Sequence, residues 1–92
     1  MGFKFSKGMR CGYQRQVYIY AVSLNYKNLS ETEQKKIREL CKVCGHGNSE
    51  ALFHLVTTED TPQKICMEHH IASPTTLYRI KKEYYERFPK RL

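Results

Sequence analysis

Residues 61–88 read TPQKICMEHHIASPTTLYRIKKEYYERF, and this stretch carries the signals for two consecutive helices. In two places a residue that can cap a helix precedes a proline: Asp60 or Thr61 before Pro62, and Ser73 before Pro74. Apolar side chains then recur with a helical period, at Leu77, Ile80, Tyr84 and Phe88. The pattern predicts a short helix, a tight turn near residues 71–72, and a longer helix that runs to about residue 88.

The preceding half of the chain also favours helices. Ser30 and Glu33 form a capping box, and the apolar side chains that follow have helical spacing, at Ile37, Leu40, Cys41 and Cys44. Gly45 is predicted to end this helix as the first residue beyond it. The segment 17–24 favours a helix, whereas the segment 49–58 fits either a helix capped at Ser49 or a strand, because its apolar residues satisfy both periods.

A chain of 92 residues has room for one domain. We expect residues 1–12, with three glycines and three cationic side chains, to form a flexible basic arm. Residues 13–92 then form a single all-α domain, a small bundle of four to five short helices that ends in a helix-turn-helix at about residues 61–88.

The net charge of +7 is distributed unevenly along the chain. Residues 1–27 carry five positive charges and no acid, residues 28–61 carry four against six acids, and residues 62–92 carry seven against three. Two basic ends around a mildly acidic middle would attract a polyanion to the ends, and nucleic acid is the obvious candidate. The alternative is that these cations only keep a small domain soluble.

The run Thr76-Leu77-Tyr78-Arg79 after a serine cap resembles the helix-turn-helix of resolvases, invertases and transposases, over about 25 of the 92 residues. In that family a turn of Gly-Val-Ser type precedes a Thr-Leu-Tyr-Arg run. The resemblance implies that the second helix lies in the major groove of double-stranded DNA. The present chain departs from the family pattern by a turn about one residue longer, and by His70 where a glycine is typical.

The resemblance also implies roles for individual side chains. Thr75 and Arg79 would face base edges, whereas Thr76 and Tyr78 would reach phosphates. Arginine can bind guanine O6 and N7 with two hydrogen bonds, and Lys81 and Lys82 would neutralise the backbone. The start of the helix at Ser73 would offer free N–H groups and a positive dipole end to a phosphate. An alternative is that this helix packs its apolar stripe inward and that its cationic face contacts nothing.

The cysteines allow a competing interpretation. Cys41-x2-Cys44 and Cys66-x2-His69, separated by 21 residues, have the form of a structural zinc site. With a strand hairpin after residue 52, this site would define a zinc ribbon or treble clef that binds protein or nucleic acid. The same cysteines also fit apolar helix stripes, where free cysteine packs as a small hydrophobic side chain. The remaining histidines, His46 and His54, are expected to be solvated.

No catalytic motif or phosphate-binding glycine loop occurs, so the sequence predicts neither an enzyme nor a small-molecule substrate. Without an apolar run of membrane length or an export signal, we expect a cytoplasmic protein without a membrane partner and with cysteines that stay reduced. The interpretation that follows is a sequence-specific binder of double-stranded DNA, a transcriptional regulator or accessory factor of a mobile element or phage, without a required cofactor. A homodimer could form through Tyr18, Tyr20 and Leu24.

Overall fold

The computed structural model describes residues 3 and 5–92, and it confirms the all-α prediction. Five α-helices and one short 3-10 helix follow one another, with no strand among these residues. The helices are α1 (Tyr13–Leu24), α2 (Glu31–Gly45), α3 (Ser49–Thr57), α4 (Pro62–Glu68) and α5 (Pro74–Arg87), and the 3-10 helix is Tyr26–Asn28. The strand alternative for residues 49–58 is wrong, and with it the hairpin of a zinc ribbon.

Helix α3 lies at the centre of the bundle and contacts the four other α-helices, while α2 also packs against α5. The core is made of the apolar stripes that the periodicity predicted, together with Ile19 of α1. Its completely buried members include Ile19, Ile37, Cys44, Leu52, Ile65, Leu77 and Tyr84. Because each helix contributes only a few of these side chains, the core depends on all five helices packing together.

Side-chain caps mark the starts of α2 and α4 but not that of α3. The amide of Glu33 donates to Ser30 Oγ at 3.2 Å and the amide of Ser30 donates to Glu33 Oε1 at 3.0 Å, which confirms the capping box. At α4 the capping side chain is Thr61, whose hydroxyl accepts from the amide of Lys64 at 3.2 Å. Helix α3 begins at Ser49, and Asn48 before it makes no side-chain cap. The prediction that Ser49 caps α3 is therefore wrong.

The end of α2 differs from the prediction. Gly45 is the last residue of the helix rather than the first beyond it, and the left-handed conformation falls on His46 (φ 47°) and Gly47 (φ 90°). Gly45 is buried, and a Cβ placed on it would lie 3.0 Å from Cβ of Ser49. The missing side chain therefore serves the close approach of α2 to the start of α3.

The segment before α1 is bound to the bundle by side chains of α1 and α5. Gln16 is fully buried; its Oε1 accepts from the amide of Ser6, and its Nε2 donates to the carbonyls of Ser6 and Cys11, each at 2.9 Å. The amide of Arg10 donates to Glu86 Oε2 at 2.9 Å. The predicted arm thus contacts the domain at several points, and its flexibility stays a prediction.

Candidate nucleic-acid interface

The turn between α4 and α5 is closed by backbone hydrogen bonds. The amide of Ile71 donates to the carbonyl of Cys66 at 2.9 Å, across His70 in the left-handed conformation (φ 57°). This is the geometry of a Schellman motif, in which glycine is the usual residue at the left-handed position. In the helix-turn-helix family that residues 76–79 resemble, a glycine is typical at the position of His70. Ile71 is partly buried against the core, so the turn also sets where α5 begins.

The first turn of α5 satisfies its own N–H groups. Pro74 has none, the amide of Thr75 donates to Ser73 Oγ at 3.2 Å, and the amide of Thr76 donates to the Ser73 carbonyl at 3.2 Å. The expectation of free N–H groups for a phosphate therefore fails at Thr75 and Thr76. The positive end of the helix dipole remains, but any anion at this helix start would be bound mainly by side chains.

Opposite the buried stripe of α5 lies a row of exposed side chains, which we call the outer row: Thr75, Tyr78, Arg79 and Lys82. Their spacing is that of one helical face. Tyr78 leaves 51 % of its surface accessible, so its ring and hydroxyl can reach a ligand. Within the part of the chain that the structure describes, Arg79 and Lys82 form neither an ion pair nor a side-chain hydrogen bond. The outer row thus combines unengaged cations with a polar aromatic ring.

Thr76 and Lys81 lie at the flanks of this row and are partly buried. The Lys81 ammonium stands 5.5 Å from the centre of the Tyr85 ring, and burial lowers the pKa of Lys81. Its aliphatic stem covers apolar surface, while its charge is attracted to the ring face. A ligand on the outer row would therefore meet Lys82 more directly than Lys81.

Two other cations near α5 are engaged within the chain. Arg87 Nε pairs with Glu83 Oε2 at 3.1 Å. The guanidinium of Arg15 donates to carbonyls just beyond α5, including that of Phe88 at 3.0 Å, so it holds the chain end against α1. On the predicted arm, Lys7 and Arg10 are exposed, whereas Lys4 lies outside the described residues.

The cysteines proposed as zinc ligands lie in the apolar core. Burial raises the pKa of the Cys41 thiol to about 12 and that of the Cys44 thiol to about 11, and Cys66 is buried as well. Such thiols pack as small hydrophobic groups and resist losing a proton. In the described segments, the structure does not bring the three thiols and His69 into one cluster of ligand atoms.

The fourth candidate ligand, His69, has other neighbours. Its Nε2 lies 3.1 Å from Nδ1 of His54, and the carboxylate of Glu68 lies beside both rings. The expectation that His54 is solvated is wrong, because only 19 % of its side-chain surface is accessible. His46, in contrast, is 63 % exposed and contacts Glu83 Oε1 at 2.9 Å through its Nε2. Sequence spacing gave no signal for His54, because it lies 15 residues before His69.

The residues suggested for a dimer surface are partly engaged within the chain. The Tyr20 hydroxyl donates to Glu59 Oε2 at 2.7 Å, and the Tyr18 ring packs edge-on against Phe88 with centroids 6.3 Å apart. Leu24 is partly buried. Dimerisation through these residues stays a prediction.

Comparison of the chain with known protein families, with curated proteins and with solved structures finds no match. None of the helices in the described part of the chain has the length and apolar character needed to cross a membrane. The interpretation of the outer row therefore depends on its chemistry and on the resemblance of residues 76–79.

Proposed function

We propose that this protein binds double-stranded DNA with the outer row of α5 in the major groove, and that it acts in the cytoplasm as a transcriptional regulator or accessory factor of a mobile element or phage. The observation that carries the proposal is the outer row itself, which presents Thr75, Tyr78, Arg79 and Lys82 on one face of a helix. A single exposed α-helix is the element that fits the width of the major groove.

The direction of the side chains supports this assignment. Leu77, Ile80 and Tyr84 are buried on the other side of the same helix, so α5 is held in the bundle by one face and free to contact a ligand with the other. Arg79 stands just over one turn into the helix, where recognition helices place the side chains that contact bases. Because Arg79 has no partner in the described structure, binding would not first have to break an intramolecular ion pair.

The surrounding charge supports a polyanionic ligand. The protein carries a net charge of +7, and the segment that contains α5 is one of its two basic ends. Long-range attraction would bring the phosphate backbone to this side of the molecule, after which contacts to base edges would select sequence. We expect Thr75 and Arg79 to face bases, and Thr76, Tyr78, Lys81 and Lys82 to lie near phosphates.

The experiment that tests this proposal is selection from a pool of random duplexes, followed by fluorescence anisotropy on the selected and on scrambled sequences. Arg79→Ala should weaken binding to the selected duplex by about 1–3 kcal/mol, because a bidentate contact to guanine is lost, and should leave binding to scrambled duplex nearly unchanged. Arg79→Lys should keep the charge but lose most of the discrimination.

The matched control is Arg87→Ala, which removes the same charge from the other end of α5, where Arg87 is paired with Glu83. This variant should retain the sequence preference of the parent protein. Equal selectivity in Arg79→Ala and the parent would show that α5 does not read the bases, and failure of the parent to enrich any duplex would end the proposal.

A further inference from the structure

Two histidines and a glutamate converge where α3 meets the C-terminal end of α4. His54 belongs to α3, Glu68 is the last residue of α4, and His69 follows it. Nδ1 of His54 lies 3.1 Å from Nε2 of His69 and 3.6 Å from Oε1 of Glu68, and one ligand atom from each residue lies within 4.8 Å of the other two. Among residues 3 and 5–92, this is the one group of three such side chains close enough to share an ion.

The distances between these atoms suit a small cation. Zinc binds imidazole nitrogen and carboxylate oxygen at about 2.0–2.2 Å, so two ligands at tetrahedral angles stand about 3.3–3.6 Å apart. The observed separations of 3.1 Å and 3.6 Å lie close to this range. The third pair of ligand atoms, on Glu68 and His69, lies within 4.8 Å, so rotation of these side chains would complete the site.

A fourth residue holds His54 in the orientation that a metal requires. Asp60 Oδ2 lies 2.7 Å from Nε2 of His54, on the side of the ring opposite the cluster. When the carboxylate accepts the Nε2 proton, the neutral ring presents the lone pair of Nδ1 towards His69 and Glu68. Carboxylates placed in this way behind a ligating histidine set its tautomer and raise its basicity.

The alternative is a hydrogen-bond chain from Asp60 through His54 to His69, without an ion. Such a chain uses both nitrogens of His54, and when His54 is protonated its Nδ1–H also faces the Glu68 carboxylate, with Nδ1 and Oε1 3.6 Å apart. A neutral His54 instead directs its Nδ1 lone pair at the carboxylate, and a cation between these two groups removes their repulsion. The position of Glu68 is thus explained either by a metal ion or by a proton on His54, and titration with zinc distinguishes the two.

We propose that His54, Glu68 and His69 bind one divalent transition-metal ion of the zinc class, and that Asp60 positions His54 for this purpose. Nitrogen and oxygen ligands of this kind favour zinc and its neighbours over calcium or magnesium. Three protein ligands leave a coordination position for water, and the ion can enter from solvent because half of the Glu68 side chain is exposed. The bound ion would link α3 to the turn before α5. The proposal does not depend on DNA binding.

The first test titrates the metal-free full-length protein with ZnCl₂ by calorimetry in the absence of DNA, and with CoCl₂ by visible absorption. We expect one zinc ion per chain and a higher melting temperature with zinc. Cobalt should give ligand-field bands without a thiolate-to-cobalt charge-transfer band. Absence of binding, or a thiolate band that disappears in Cys41→Ser, would overturn the proposal.

Variants then locate the site. Glu68→Gln, on an exposed side chain, should weaken zinc binding at least about tenfold without affecting the fold, and Asp60→Asn should weaken it about 10–100-fold. His69→Ala should bind no zinc at micromolar concentration, whereas His46→Ala, a surface histidine on another helix end, should bind like the parent. Parent-like affinity in both Glu68→Gln and His69→Ala would overturn the proposal, and circular dichroism verifies that each variant is folded.

Discussion

His70 adopts a left-handed backbone conformation, which glycine reaches without steric cost. Its φ of 57° closes the turn between α4 and α5, and the hydrogen bond from Ile71 to Cys66 spans it. The left-handed conformation costs an L-residue about 1–2 kcal/mol. His70 is exposed, and no side-chain hydrogen bond of it is present in the described structure. The strain is therefore not repaid by a contact of the imidazole.

His70→Gly should raise the free energy of unfolding by about 0.5–1 kcal/mol, because the relief of strain exceeds the entropy that glycine adds to the unfolded chain. Urea denaturation measures this change. Lys82→Gly is the control: the same glycine in the middle of α5 should lower the free energy of unfolding by about 1 kcal/mol. A loss of stability in His70→Gly would contradict the assignment of strain to this residue.

Ser23 and Tyr84 form a buried hydrogen bond between α1 and α5. Their hydroxyl oxygens lie 2.7 Å apart, both side chains are almost completely buried, and burial raises the pKa of Tyr84. Neither hydroxyl has solvent within reach to replace a missing partner. The pair, whose residues are 61 apart in sequence, thus sets the register between α1 and α5.

Tyr84→Phe should lower the free energy of unfolding by about 1–3 kcal/mol, because the Ser23 hydroxyl is left buried without a partner. The double variant Ser23→Ala with Tyr84→Phe should recover part of this loss, since no unpaired hydroxyl remains. A double-mutant cycle by chemical denaturation measures the coupling. Purely additive effects of the two changes would show that the hydroxyls do not depend on each other.

At the scale of elements, one glutamine of α1 makes most of the hydrogen bonds that hold the basic segment before that helix. Gln16 binds the backbone of Ser6 and Cys11 with three hydrogen bonds. These polar contacts act together with the packing of Met9 and Cys11 against the core. The neighbouring helix face carries Gln14, which is exposed.

Gln16→Leu should release this segment, because leucine fills a similar volume but cannot bind the backbone groups of residues 6 and 11. The amide of Ser6 should then exchange with deuterium faster. The exchange rates of the α5 amides should change only as far as the global stability changes. Gln14→Leu should leave exchange at Ser6 unchanged. Unchanged protection of Ser6 in Gln16→Leu would mean that other contacts hold the segment.

At the scale of the whole molecule, charge and shape act together in the proposed binding of DNA. The described residues fit within 33 × 29 × 24 Å, so one molecule can cover only a short stretch of duplex. The net charge of +7 is large for a protein of this size. Affinity should therefore depend strongly on salt.

If about five or six phosphates are contacted, the logarithm of the association constant should fall with the logarithm of salt concentration at a slope near −5. Lys82→Ala should make this slope shallower by about 1, because one phosphate contact is lost. Lys42→Ala, an exposed lysine of α2, should keep the parent slope. Anisotropy titrations over a range of salt concentrations measure all three, and an identical slope for Lys82→Ala and the parent would remove Lys82 from the interface.

Much of the fold was predictable from neighbouring residues alone. The capping box at Ser30, the cap at Thr61 and the proline after Ser73 mark helix starts through contacts that span three residues or fewer. The outer row was predictable as well, since a period of 3.6 residues fixes which side chains oppose Leu77. The partial burial of Lys81 was not predictable, because it depends on the neighbouring Tyr85 ring and on the packing around it.

The linear sequence determined the helices, their caps and the two faces of α5, because hydrogen bonds and side-chain direction within a helix depend on residues a turn apart. Only the tertiary structure decided the rest: that Gly45 permits the contact between α2 and α3, that Cys41 and Cys66 belong to the core, and that His54 meets His69. The physical reason is that these contacts depend on the angles and distances at which whole helices pack, and packing is decided by the combined burial of all five apolar faces. The cysteine pattern fits the spacing of a zinc site and that of helix stripes equally well. Only the packing of the helices shows that Cys41, Cys44 and Cys66 lie in the core.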